Sequence, residues 1–326
     1  MGATGIVGET LLRVLEERNV TIEELGVFAA RSHVGGARYR GRAVNVEATS
    51  DAALVHWDAL FFASPEDASA KYAPALANNG SFIIDNSPAY RLDPEVALLV
   101  PEVNPDAFDA RQRIFPVANC TAIILAVALA PLRRSCGLQR VRAATYQAVS
   151  GAGRAGLQEL EAAQHALVNG KTEPESVVFP QSIGNNVIPQ IGALLADGSC
   201  SEETKVRAET RKILGLPDLQ IAVTTVRVPV RFVHSAVVFF KTGEDATVAE
   251  LASAFEGAEG LKYYPEGIVT PREVEGTDAV HIARLRAEDG SRRHFQMWIA
   301  GDQLRKGAAT NGVQILELLL RRGMLR

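Results

Sequence analysis

The chain has 326 residues, too many for one ordinary domain and suited to two, and its 47% hydrophobic content supports large cores. Lys and Arg number 34 against 38 Asp and Glu, a net charge of −4 with the signs interspersed, which excludes a basic nucleic-acid-binding surface. The three cysteines, Cys120, Cys136 and Cys200, have no paired spacing, which argues against a disulfide framework or structural zinc and for a reducing, cytoplasmic setting.

The chain opens Met1-Gly-Ala-Thr-Gly-Ile-Val-Gly, and an amphipathic helix with Leu11, Leu12, Val14 and Leu15 follows. A glycine-rich turn feeding a helix is how dinucleotide pyrophosphate is bound: glycine permits the tight turn, and the helix start offers N–H donors. Such a unit needs a buried strand before its glycines. Only Met1 stands there, so the first strand is expected to be missing, with the start lying inside a longer reading frame or the chain having been cut there. No charged-then-apolar leader is expected.

Residues 25–29 read as a short strand and 43–47 as another. Residues 59–63 (Ala-Leu-Phe-Phe-Ala) and 81–85 (Ser-Phe-Ile-Ile-Asp) are continuous apolar strands of the kind buried in parallel sheets, with a helix over 66–79 between them. This is βαβ grammar and predicts an α/β, Rossmann-type doubly wound domain. The second strand runs into Arg31-Ser32 rather than Asp or Glu. An acidic residue there would bond the ribose 2′-OH of NAD, whereas Arg31 and Ser32 suit the 2′-phosphate of NADP.

Residues 114–129 read as an extended segment, a polar break at Asn119-Cys120-Thr121, and an apolar helix. The apolar run over 122–132 is too short to span a bilayer. A cysteine at a helix N-terminus is favoured as thiolate, and the free N–H groups there can hold an oxyanion. Asn119 adds an amide donor. Residues 139–149 alternate like a strand, Ser150-Gly-Ala-Gly is a turn, and a helix runs to about 168. A charged helix spans 202–214. Residues 220–231, 233–242, 279–286 and 294–299 are four more strands, and a last helix over 311–322 is expected to return to the first domain. Runs of strands with separate helices suggest an α+β domain on a mostly antiparallel sheet. The expected division is 1–120 plus 305–326 for the first domain and 121–304 for the second.

With these segments in view, the sequence resembles the aspartate-β-semialdehyde dehydrogenases along nearly its whole length. The resemblance rests on Gly2-Ala-Thr-Gly-Ile-Val-Gly, Ile84-Asp-Asn-Ser, Val100-Pro-Glu-Val-Asn, Asn119-Cys-Thr, Thr145-Tyr-Gln-Ala-Val-Ser-Gly-Ala-Gly, Asn186-Val-Ile-Pro, Val226-Arg-Val-Pro-Val with His234-Ser235, and Leu304-Arg-Lys-Gly-Ala-Ala. It implies NADPH-dependent conversion of aspartyl phosphate to aspartate semialdehyde through a cysteine thioester, by a homodimer or homotetramer. That step feeds lysine, threonine, methionine and diaminopimelate synthesis. By resemblance Cys120 is the nucleophile, His234 the acid/base and Gln147 a positioning group. Arg227 holds the α-carboxylate, Arg91 binds phosphate, and Asn119 and the Glu202/Lys205 pair belong to the substrate site. Gly2, Thr4, Gly5, Ile6, Val7, Arg31, Ser32, Ser64, Asn86, Ser150, Gly151 and Gln303 fall at cofactor-binding positions. No metal, nucleic acid or membrane partner is implied.

Read alone, His234 is a strand-end histidine, and Glu202 and Lys205 are an ordinary i, i+3 helix pair. The offset between Arg227 and His234 is odd, so on one regular strand they would face opposite sides. A bend or bulge at Pro229 is therefore expected between them. Besides the missing first strand, two departures from the family pattern stand out: Ser64-Pro-Glu66 occupies the loop of a Gly-Gly pair, and Gln303 replaces an asparagine. The nearest rival, N-acetyl-γ-glutamyl-phosphate reductase, carries its cysteine in a Gly-Cys-Tyr-Pro type context that Asn119-Cys-Thr-Ala does not match. A truncated or non-catalytic paralogue acting as a binding protein is the rival of another class.

Overall fold

The computed structural model describes residues 1–30 and 36–325. The chain divides into two compact units, Met1–Asn119 with Gly307–Arg326, and Cys120–Lys306.

In the first unit, helix α1 (Ile6–Glu17) follows the glycine turn and buries Leu11, Leu12, Val14 and Leu15. Short strands β1 (Phe28–Ala29), β2 (Ala37–Tyr39), β3 (Arg42–Val44) and β4 (Glu47–Ala48) follow, then the one-turn helix α2 (Asp51–Leu54). The expected strand over 43–47 is thus split between β3, which pairs with β2, and β4, which pairs in parallel with β1. Strand β5 (Ala59–Phe62), helix α3 (Glu66–Asn78), β6 (Phe82–Asp85) and β7 (Ile114–Pro116) form a parallel sheet of order β5-β6-β7. All four residues of β6 are buried, as its unbroken apolar run requires.

The expected gap before the glycine turn has a defined structure. The Met1 amine donates to the Phe61 carbonyl at 2.5 Å, and the Ala63 N–H donates to the Met1 carbonyl at 3.0 Å. Met1 thus brackets Phe62 as a residue of a parallel strand does. On the other side the Ala3 N–H donates to the Phe28 carbonyl at 3.2 Å. Behind these residues lies a cavity of about 660 Å³, whose lining includes Leu11, Leu15, Val27, Phe28, Leu60 and Leu316. It separates the β1-β4 ladder from β5-β6-β7. The Met1 amine sits in this surrounding, and burial pushes its pKa from 8.0 to about 5.

The second unit opens with α4 (Cys120–Cys136), apolar nearly all round and buried over almost its whole length. Strand β8 (Leu138–Gln147), helices α5 (Gly153–Val168) and α6 (Ser201–Leu214), strands β9 (Gln220–Arg227) and β10 (His234–Thr242), and α7 (Val248–Phe255) follow. Then come β11 (Leu261–Tyr264), the short α8 (Pro271–Val274), β12 (Val280–Ala287) and β13 (His294–Gly301). The six strands form one sheet in the order β11-β12-β13-β10-β8-β9. Its three central pairings are antiparallel and its two edge pairings parallel, so the sheet is mixed. A π-helical turn at Arg305–Ala309 leads into α9 (Thr310–Arg321), which belongs to the first unit. There Arg18 clamps Glu317 with two bonds of 2.7 Å, and Asn311 donates to the Leu99 carbonyl.

Among the described residues no helix is long and apolar enough to cross a membrane, and no cluster of His, Cys, Asp and Glu is arranged to hold a metal.

Candidate active site

Strand alternation places the polar centre of the second unit. In β8 the buried positions include Thr145 and Gln147, while Arg142 and Tyr146 face outward. Gln147 pairs with Arg227 of β9. On the other side Ser235 of β10 pairs with Tyr146, so His234 stands one step on, beside Gln147. Arg227, Gln147 and His234 therefore form a row across three adjacent strands, on one face, and all three are buried.

This corrects the expectation of a bent strand. Arg227 and His234 do not lie on one strand with a bulge between them. The segment from Val228 to Val233 crosses the end of β8, carrying the chain from one neighbour of β8 to the other. Pro229 sits at the tip of a tight turn closed by the Val230 N–H donating to the Val228 carbonyl at 2.8 Å.

Each side chain of the row is held. The Ala148 N–H donates to His234 Nδ1 at 3.1 Å. Nδ1 is thus an acceptor, and the neutral ring carries its proton on Nε2, which is buried and has no partner. Burial, then the nearby Arg227 charge, holds the His234 pKa well below the usual imidazole value. Arg227 Nη1 donates to the Ala148 carbonyl at 2.6 Å, and its guanidinium lies over the Phe179 ring, 5.7 Å from the centroid. Its backbone pairs both ways with Ile188, at 2.8 and 2.9 Å, which gives the Asn186-Val-Ile-Pro motif its place. Burial lowers the Arg227 pKa, while negative charge at Cys120 and Glu202 works the other way. Cys120, Glu202 and His234 are thus each within electrostatic reach of Arg227. Gln147 Nε2 donates to Glu202 Oε1 at 3.3 Å, and Thr145 Oγ1 donates to the Gln147 carboxamide oxygen.

Cys120 is the first residue of α4, as its sequence context predicts, and is partly exposed where Cys136 and Cys200 are buried. Burial raises the Cys136 pKa. Cys200 lies against Thr225 Oγ1 at 3.1 Å, and its N–H is capped by the buried Glu203 carboxylate. Lys205 is half-buried one turn beyond Glu202 on α6. A Cβ on Gly151 would stand 2.9 Å from Arg227 Nη1 and 3.1 Å from His234 Cε1, so glycine is what fits over this pair. Ser150 and Gln303 are buried and hydrogen-bonded to each other. The pairing of the Ala148 N–H with His234, and the conformation of Val233, had no signal in the sequence.

The remaining sequence candidates lie in the first unit. Gly2 has φ +77°, and a Cβ there would collide with the Ala63 carbonyl. Gly5 is the N-cap of α1 and brings no side-chain cap, which leaves the first N–H groups of that helix open beside Thr4, Ile6 and Val7. Ser64 Oγ and Asn86 Nδ2, just past β5 and β6, are buried without partners. Open helix donors, close-packed glycines and orphaned polar atoms suit a dinucleotide. Asp85 shapes the adjoining turn by accepting from Ser69, from the Ser87 N–H and from Ser87 Oγ. Arg91 Nη2 donates to the Asn86 carbonyl at 2.6 Å. Asn119 is buried beside Cys120 in sequence. Arg31 and Ser32 lie outside the described residues.

The family model for the semialdehyde dehydrogenase NAD binding domain matches residues 1–111, and that for the semialdehyde dehydrogenase dimerisation domain matches residues 129–306. The aspartate-semialdehyde dehydrogenase of Aquifex aeolicus is 37% identical over 100% of this chain and 98% of its own. That of Shewanella violacea is 36% identical over 98% and 96%. Among solved structures, aspartate semialdehyde dehydrogenase II of Vibrio cholerae complexed with ASA is 36% identical, with a TM-score of 0.95 over 98% of this chain and 96% of that one. A probable aspartate-semialdehyde dehydrogenase of Pseudomonas aeruginosa, 28% identical, has a TM-score of 0.91 over 98% and 96%. The chain belongs to the aspartate-semialdehyde dehydrogenase family.

Proposed function

We propose that the chain carries out NADPH-dependent reductive dephosphorylation of L-aspartyl-4-phosphate to L-aspartate 4-semialdehyde, reversibly, in the synthesis of lysine, threonine, methionine and diaminopimelate. The observation that carries this reading is the unpartnered Nε2 of a buried His234 that feels the charge of Arg227, which itself lies within electrostatic reach of Cys120.

Cys120 attacks the acyl carbon. A sulfur–carbon bond forms, the carbon–oxygen bond to phosphate breaks, and phosphate leaves. The helix N-terminus at Cys120, with Asn119 beside it, favours the thiolate and offers donors to the acyl oxygen. His234 meets the same oxygen with its Nε2–H, since Nδ1 is already occupied. NADPH, when bound, supplies the hydride that reduces the thioester. Cys120 then departs as thiolate and leaves the aldehyde. Arg227 grips the α-carboxylate with its planar fork. Gln147, tied to Glu202, orients the acyl group, with Lys205 one helical turn away. Arg91 offers a guanidinium for phosphate. The glycine turn with Thr4, Ile6 and Val7, together with Ser64 and Asn86, would hold the dinucleotide, and Arg31 with Ser32 would take the 2′-phosphate. The proposed assembly is a homodimer through the outward face of the six-stranded sheet, where Tyr146 is 39% and Phe239 38% exposed.

Cys120→Ala should abolish turnover of aspartyl phosphate while leaving NADPH binding intact, because the thiol makes the intermediate and not the cofactor contacts. Cys136→Ala and Cys200→Ala are the matched controls. Turnover retained by the Cys120 variant would remove the thioester mechanism. NADPH binding with no turnover by the unaltered chain would favour the binding-protein reading.

A further inference from the structure

One residue beside the catalytic row holds a backbone conformation that its side chain disfavours. Val233, immediately before His234, has φ +73°. A β-branched residue in the left-handed region is a genuine, strained outlier, so surrounding groups must enforce it. Val233 is fully buried, and its N–H donates to Gln303 Oε1 at 2.8 Å. The same carboxamide donates through Nε2 to Ser150 Oγ. Ser150 lies two residues beyond Ala148, whose N–H fixes the His234 ring through Nδ1. One buried amide therefore holds both sides of the bond that sets the histidine's tautomer: the backbone that carries the ring, and the turn that carries its donor.

We propose that Gln303 is a positioning residue for His234, acting through the enforced left-handed backbone of Val233 and the Ser150 turn. The inference rests on the reading of His234 as the donor to the acyl oxygen. It also gives the Gln303 carboxamide a task other than the cofactor contact that family resemblance suggests. Asparagine, one methylene shorter, would not span from Val233 N to Ser150 Oγ without movement of one of them.

The test compares the full-length chain with Gln303→Leu, Gln303→Asn, Val233→Gly and the double variant Gln303→Leu/Val233→Gly. Glycine adopts φ +73° without strain, so it removes the need for enforcement. Gln303→Leu should lower kcat about ten- to a hundredfold, as expected for a misplaced catalytic group. KM for NADPH and the rate of Cys120 alkylation by iodoacetamide should stay within about twofold of the parent. The double variant should recover a large part of that loss. Gln303→Asn, the milder change should leucine fail to fold, should show a smaller loss of the same kind. Nitrogen-15 shifts of the His234 ring supply a readout independent of turnover. They should report the Nε2–H form in the parent and a mixture of tautomers in the Gln303 variants. A failure of the proposed reaction would leave that spectral difference in place. A rise in KM for NADPH with unchanged kcat would assign Gln303 to the cofactor instead. An unchanged His234 spectrum, or no recovery in the double variant, would overturn the positioning role.

Discussion

Joining an apolar strand of about five residues to Met1, the length of a typical strand, should stabilise the first unit, and by an amount that grows as pH falls. In the chain as it stands the Met1 amine is buried beside the Phe61 carbonyl, and its pKa drops from 8.0 to about 5. The unfolded chain binds a proton below pH 8, and the folded chain resists doing so until pH 5 is approached. The unfolded state is therefore favoured as pH falls through that window, and the stability present above it is lost. At about 1.4 kcal/mol per pH unit, the loss is roughly 1.4 kcal/mol at pH 7 and about 3 kcal/mol near pH 5.5. In the extended chain Met1 nitrogen becomes a peptide N–H, which keeps the bond to Phe61 and has no proton to gain. The added residues fill the cavity between β1 and β5 and hold the Gly2 turn from behind. At roughly 2–4 °C per kcal/mol, the two chains should melt about 3–6 °C apart at pH 7 and about 6–12 °C apart near pH 5.5, beyond any constant gap from packing. Differential scanning across pH, with and without NADPH, measures this. The NADPH-induced shift should also be larger in the extended chain, since its turn is anchored. A gap independent of pH would refute the reasoning about the amine, and equal melting at all pH values would refute the slot as a strand position.

Arg227→Lys should be poorly tolerated although it keeps the charge, because an ammonium cannot grip a carboxylate with two parallel bonds. The loss in kcat/KM should be large with aspartate semialdehyde and small with an analogue lacking the α-carboxylate; equal losses would make Arg227 structural. Arg31→Ala should raise KM for NADPH about ten- to a hundredfold, from a charge-assisted contact of roughly 1.5–3 kcal/mol, with little change for NADH. Equal effects on the two cofactors would remove the 2′-phosphate assignment.

Much of the molecule was legible locally. A polar break before an apolar run placed Cys120 at the start of α4, and glycines before an amphipathic stretch placed the turn at α1. Unbroken apolar segments identified β5 and β6 as buried parallel strands. These signals rest on backbone sterics, helix-end donors and hydrophobic period, which act over a few residues. The meeting of Arg227 and His234 was not legible. Their spacing in the chain argued for opposite faces, and what unites them is β8 lying between their two strands, a pairing decided by the whole sheet. The tautomer of His234 depends on the N–H of Ala148, a backbone group that any residue but proline would supply and that leaves no trace in side-chain pattern. Val233 and Gln303 are separated by 70 residues, and only the folded core brings the strained backbone and the amide that holds it together. The candidate site residues were thus marked by local sequence, while their mutual orientation was set by long-range packing, because strand neighbours and buried donors are chosen by the tertiary fold.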